Sequence, residues 1–363
     1  MELTVPRLSF VPAAVLIAVA ACADAVAPHA IATGDEVRGA RQALTIAQYG
    51  DPVAMPALPG GTATTADAIN NRGQISGASN SSSSAFGHAA RWTKDQAEDL
   101  GTIGGCCGQA FDINNSGAVA GSGEIPAGGG LFHAFTRTGG VNLDLGTLGG
   151  AQSGASAISD KGVVVGSSEL TGNGNWHAFR WTASSGMEDL GTLPGGTTSF
   201  ASDINNRGEI VGNSDSPNGT RAVLWTTTGQ IVDLGTLPGG NVSHATGVNQ
   251  RGDIVGGSNN AAGKMRAVLW TGPGQVTDLG VLTGEVSSAA TAINDAGVVV
   301  GASQGTVWFQ GRAFIWDRRN GMRELPGLTG ATLTVPNDIN NAGIVVGSSG
   351  TFPTLRGVKW DPR

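Results

Sequence analysis

Charge, aromatic residues and cysteine are all scarce in this chain. Only 13% of its 363 residues are charged, and the net charge is −7. No basic stripe runs through it, which argues against a nucleic-acid partner. Cysteine occurs three times. Cys106 and Cys107 are adjacent and have no histidine near them, so they form neither a zinc motif nor a redox motif. In an oxidising compartment such a pair either closes into a strained vicinal disulfide or stays as small buried thiols. No serine, histidine and acid fall into a nucleophile elbow. Gly-Thr-Leu-Pro-Gly-Gly is followed by neither Lys-Ser/Thr nor a helix pattern, so it is not a phosphate loop. The sequence therefore names no catalytic residue, no metal ligand and no cofactor.

Apolar runs are equally few. Residues 8–21 form one of about fourteen residues, too short for an ordinary membrane-spanning helix. Its end, with the next residue, reads Val19-Ala20-Ala21-Cys22, which has the form of a bacterial lipobox. The small residues admit a peptidase, and the Cys22 thiol would carry the diacylglyceryl group. Residues 1–22 thus read as a lipoprotein-type signal peptide, with plain secretion and cleavage at a nearby Ala as the alternative. Anchoring through several acyl chains is durable, where one chain is marginal. Membrane association is expected only through this anchor. Residues 23–50 mix Ala, Gly and charge, and read as a flexible tether.

What the chain has in abundance is glycine, 59 residues, arranged in a repeat. Asp-Leu-Gly-Thr-Leu-Pro-Gly-Gly occurs at residues 189–196 and 233–240, with variants starting at Asp99, Asp144 and Asp278. The phrase belongs to a unit of 44 to 46 residues that recurs seven times. Each unit holds four short apolar segments, in the fourth copy residues 200–204, 209–212, 222–225 and 231–234. The first two are joined by an Asn-x-x-Gly turn of hairpin type. Its glycine recurs as Gly73, Gly117, Gly162, Gly208, Gly252, Gly297 and Gly343, and a second follows four residues later in every copy. A glycine inside a strand predicts close backbone approach, here expected between stacked sheets. The third segment ends in Trp92, Trp181, Trp225, Trp270, Trp316 or Trp360, and in Arg137 in the second copy.

Four strands in about 45 residues is the arithmetic of a propeller blade. The seventh copy stops after its third strand. Leu58-Pro59-Gly60-Gly61 aligns with residues 193–196, so the segment before it supplies the missing strand. The expected fold is all-β: a seven-bladed β-propeller over residues 51–363, with four strands per blade and the N-terminal strand closing the last blade. Closure removes the open edges that a linear array would expose.

The triplets His133-Ala134-Phe135 and His177-Ala178-Phe179, with the Asp-Leu-Gly-Thr-Leu segments, are what the chain shares with the bacterial HAF repeat family. The chain resembles this family of extracellular repeats over residues 53–363. The later copies depart from it, with Arg221-Ala222-Val223 and Arg266-Ala267-Val268 in place of the triplet. The resemblance implies export and a repeat scaffold, and carries no catalytic residues.

The first triplet position is basic in every copy: His88, His133, His177, Arg221, Arg266, Arg312 and Arg356. It is either a basic ring for an anionic polymer or a set of donors tied to an acid in each blade. Asp112, Asp203 and Asp338 precede the recurring Ile of the innermost strand. They either line the channel or stabilise the following turn. The connections between second and third strands vary most, and variable loops on a rigid scaffold are common binding sites. Trp308, Phe309 and Phe86 are the candidate ligand contacts there, suited to sugar rings or a protein anchor. The expected function is an exported, monomeric, non-catalytic scaffold that binds a polysaccharide or protein, at the outer membrane or cell surface, or else periplasmic or secreted. A propeller-type glycan hydrolase or lyase and a purely structural envelope component are the alternatives.

Overall fold

The computed structural model describes residues 49–363 except 83–86, 127–128, 173, 307–309 and 353. The described strands form seven antiparallel sheets of four strands each, and six of these run in plain sequence order. The fourth blade shows the pattern: Ser199–Ile204 innermost, then Ile210–Ser214, Arg221–Trp225 and Ile231–Asp233. The sequence places these segments to within one or two residues, because each is bounded by turn residues.

The seventh blade is sewn from both chain ends. Val53–Ala54 forms its outer strand, pairing with Thr354–Trp360 in the register Val53 to Lys359 and Ala54 to Val358. Met55 extends the ladder by donating its N–H to Gly357 O at 2.8 Å. The chain joins the ring slightly earlier than residue 51: Tyr49 pairs with Pro362 and donates its hydroxyl to Gly343 O at 2.5 Å. All seven turn glycines have positive φ, between 75° and 91°, which explains the residue type.

The second recurring glycine has a different reason from the expected one. A Cβ on Gly212 would lie 2.0 Å from Phe200 O, on the innermost strand of the same blade. Gly121, Gly166 and Gly256 meet the equivalent carbonyls of Gln109, Gly154 and His244 at 1.9–2.0 Å. The crowding comes from a bulge in each inner strand, for example between Ala201 and Asp203, and not from stacking of neighbouring sheets. A bulge bends the strand and increases its twist, and only a residue without Cβ fits opposite.

The core lies between the blades. Each interface holds its own apolar cluster; that between blades four and five packs Val211, Ala222 and Leu234 against Ala245, Val248, Ile254 and Trp270. The cluster of Met55, Ile75, Trp92 and Val346 binds the seventh blade to the first. Trp225 Nε1 donates to Leu190 O of the preceding blade at 3.0 Å, and Trp360 Nε1 to Pro326 O at 2.7 Å. In the second blade Arg137 replaces tryptophan and donates to Leu100 O at 3.1 Å, the carbonyl equivalent to that of Leu190.

Gly212→Ala should destabilise the protein by about 1–3 kcal/mol, the range for overpacking, while Ser202→Ala in the bulge itself should change little. Urea denaturation of the two variants against wild type checks this.

Candidate functional site

The Asn-x-x-Gly turns gather around the ring axis and enclose a polar cavity of about 150 Å³, lined by Asn71, Asn115, Asp160, Asn206, Gln250 and Asn341 among others. Each turn places two polar side chains. The first, as in Asn205, folds back on its own loop and accepts the N–H groups of Arg207 and Glu209 through Oδ1. Its Nδ2 reaches the next blade and donates to Asn249 O at 3.1 Å. Asn249, Asn294, Asn340 and Asn70 pass the same bond onward around the ring, and Asn114 donates to Ser159 O.

The second position closes a complete circle. Asn71 N–H donates to Asn115 Oδ1, Asn115 to Asp160, Asp160 to Asn206, Asn206 to Gln250, Gln250 to Asp295, Asp295 to Asn341, and Asn341 back to Asn71. All seven bonds are 2.8–3.0 Å long. Asp160 also accepts the amides of Asn115 and Asn206, which together outweigh its burial and hold its carboxyl below the usual range. Sequence reasoning read these residues as turn formers and missed the latch. Its one sequence signal is an Asn, Asp or Gln at this position in every copy.

Beneath this ring the innermost strands present an open edge to the channel. Asp112 accepts the N–H groups of Ile113 and Ile158, Asp203 those of Ile204 and Val248, and Asp338 those of Ile339 and Ile69, all at 2.7–2.8 Å. Each carboxylate serves its own blade and the next, so three acids serve six of the seven equivalent N–H groups. The first, third and fifth copies, with Ala68, Ala157 and Gly247 in place of the acid, are thus served by a neighbouring blade's carboxylate. The groups keep some accessible surface yet lie deep in the ring, as side chains lining a narrow channel do. Burial, and secondarily repulsion from the other two acids, pushes Asp112 up to about 7; burial above all raises Asp203 to about 6, and it also raises Asp338. Asp67, held by Gln109 and Thr65, is likewise raised by burial to about 6.

The basic ring is tied to acids. His88, His133 and His177 meet Asp99, Asp144 and Asp189 through Nδ1 at 2.9 Å. Arg221, Arg266 and Arg312 meet Asp233, Asp278 and Glu324 at 3.7, 3.1 and 2.7 Å. Each Asp of the Asp-Leu-Gly phrase also accepts the N–H of the glycine two residues on, as Asp189 does from Gly191 at 2.7 Å. The triplet and the phrase are therefore two halves of one contact. Arg356 differs, because the strand paired with its own, Val53–Ala54, carries no acid.

Trp308, Phe309, Phe86 and Cys22 lie outside the described residues. Phe132 and Trp176 are half-buried at the start of their third strands, whereas Phe352 is 53% exposed.

A family model described as a protein of unknown function (DUF3466) matches residues 239–353, about a third of the chain. Comparison with curated proteins yields no match. Among solved structures, the propeller domain of the Trilobed protease from Pyrococcus furiosus, described as having an open velcro topology, is 14% identical, with a TM-score of 0.49 over 88% of this chain and 97% of that one. TolB from Acinetobacter baumannii is 13% identical with a TM-score of 0.45, over 68% of this chain and 64% of that one, so the match spans less than two thirds of TolB. AofleA from Arthrobotrys oligospora is 12% identical with a TM-score of 0.39, over 78% of this chain and 91% of that one. Similarity at this level does not bear on function.

The channel acids give a pH dependence of defined sign. Their folded pKa values lie above the unfolded ones, so their contribution to stability is full below about pH 4 and is lost as pH rises through 6 to 7. Half-buried His244, whose pKa is lowered by desolvation, acts oppositely, losing stability as pH falls. The difference in urea midpoint between wild type and Asp112→Asn isolates the acid: wild type should lose stability relative to the variant between pH 5 and pH 8.

Proposed function

We propose that this chain is an exported, lipid-anchored, non-catalytic scaffold that binds a polysaccharide or protein through one face of the propeller. The observation that carries the reading is a division between the two faces. On one face six turns share the Asn-x-x-Gly form and the third copy has Ser159-Asp160-Lys161-Gly162, and in all seven the second position bonds to the next blade. On the other, the connection between second and third strands ranges from residues 80–87 in the first blade to 352–353 in the seventh. Rigid blades with unlike loops suit recognition of an extended partner.

The recurring acids support a binding role over a hydrolytic one. Glycoside hydrolysis needs two carboxyls flanking an open cleft. Asp112, Asp203 and Asp338 each spend both oxygens on backbone N–H groups, and the acids of the Asp-Leu-Gly phrase hold His or Arg. Trp308, Phe309 and Phe86 belong to the variable connections and remain the proposed ligand contacts. Cys22 is the proposed lipidation site.

On a glycan array, wild type should bind a defined set of polysaccharides, and Trp308→Ala or Phe309→Ala should weaken that binding by about 1–3 kcal/mol per lost stacking contact. Absence of binding by wild type sinks the polysaccharide reading. Metabolic labelling with a radioactive fatty acid should tag wild type but not Cys22→Ala; label retained by the variant moves the anchor elsewhere.

A further inference from the structure

The passage from the first blade to the second departs from its repeats in one chemical respect. In the fourth blade, Thr197 and Thr198 donate their N–H groups to Asp215 Oδ1, and the Thr197 hydroxyl donates to Asp215 Oδ2. The same cap is made by Asn80 for Thr62 and Ala63, and by Asn259 for Asn241 and Val242. In the second blade the capping residue is Glu124, which accepts Cys106 N–H at 3.0 Å. Cys106 and Cys107 occupy the places of Thr197 and Thr198. The scaffold thus needs only an acceptor here, and Thr, Ala, Val and Asn all serve beside it. Nothing in the fold calls for two thiols.

The two thiols converge. Their Sγ atoms are 3.0 Å apart, and these and a Glu124 carboxylate oxygen all lie within 4.8 Å of one another. Cys106 is exposed and Cys107 half-buried. The cluster lies where the passage meets the end of the second strand, on the face of the variable connections. Glu124 keeps acceptor capacity: Oε2 takes Cys106 N–H and Oε1 takes Gly130 N–H at 3.2 Å, which leaves a lone pair on each oxygen.

We infer that Cys106, Cys107 and Glu124 form a binding site for one thiophilic divalent metal ion of the zinc type, with two sulfur ligands, one oxygen ligand and an open fourth position. Two sulfurs and a carboxylate are a donor set that zinc accepts, and three protein ligands leave one position for water or an added ligand. A tetrahedral ion with Zn–S bonds of about 2.3 Å needs its sulfurs about 3.8 Å apart. The pair therefore opens by under 1 Å, within reach of side-chain rotation on a surface turn. Binding replaces two S–H protons by two metal–sulfur bonds and releases both protons. Because both thiols must lose their protons to bind the ion, uptake strengthens as pH rises. The sequence hid the third ligand, because Glu124 stands eighteen residues from Cys106 and matches no short metal motif.

The test uses the full chain, reduced with a phosphine and titrated with Co²⁺ and then Zn²⁺. One Co²⁺ per chain should produce a thiolate-to-metal charge-transfer band, which Zn²⁺ should abolish while protecting two thiols from a colorimetric thiol reagent. Cys106→Ser with Cys107→Ser should lose the band, and Cys22→Ala should keep it. Loss of a group outside the ligand shell already costs about 10–100-fold in affinity, so Glu124→Gln should raise Kd by at least about tenfold. An amide caps this turn in other blades, so Glu124→Gln should leave the urea midpoint unchanged. Absence of the band in wild type, or an unchanged Kd in Glu124→Gln, overturns the site. So does a wild-type pair that closes to a disulfide in air and takes up no metal after reduction. These outcomes are independent of the glycan array, so either reading can fail without the other.

Discussion

Seven nearly identical interfaces have to meet in a circle without a gap, and the bond that enforces this is the amide contact from each inner turn to the next. One turn's backbone N–H finds the following turn's side-chain oxygen, seven times, until Asn341 returns to Asn71. A single such bond contributes only about 0.5–1.5 kcal/mol net. Its value lies in geometry, because a closed circle of short bonds admits one spacing between blades. The apolar clusters then fill the wedge between sheets, as where Val211, Ala222 and Leu234 of one blade meet Ala245, Val248, Ile254 and Trp270 of the next. Below the turns, the channel acids satisfy an inner edge that would otherwise carry unpaired N–H groups.

The architecture was legible because repetition multiplies weak signals. One Asn-x-x-Gly turn is a common hairpin; its glycine recurring seven times at a period of 44 to 46 residues defines blades. The closing strand was legible because Leu58-Pro59-Gly60-Gly61 is a copy of a phrase whose place in the blade was already known. The polar bonds were not legible, for two reasons. Asn206 answers equally well to turn chemistry, so its second task leaves no separate mark. And its partner Gln250 stands one whole repeat away, a distance at which no local rule operates. The channel acids show the same limit from another side. Asp at only three of seven positions looks irregular until each carboxylate is seen to serve two blades.

The division between scaffold and surface follows from these assignments. Most positions that recur are occupied, as His177 is by Asp189, Trp225 by Leu190 and Asn205 by Asn249. Those that vary lie in the connections on the opposite face, and the paired cysteines belong with them. The sequence shows Cys106 and Cys107 side by side, but only the sheet pairing brings Glu124 beside them.

The joint between Val53–Ala54 and Thr354–Trp360 has a consequence for how the molecule comes into being. The contact with the greatest separation along the chain is also the one that completes the ring, so loop-closure entropy is largest for the step on which closure depends. Six blades can form from neighbouring segments as each emerges, whereas the seventh must wait for Trp360. Until then the seventh blade keeps an open seam. The last few residues act as the clasp that turns a flexible strip into a rigid body.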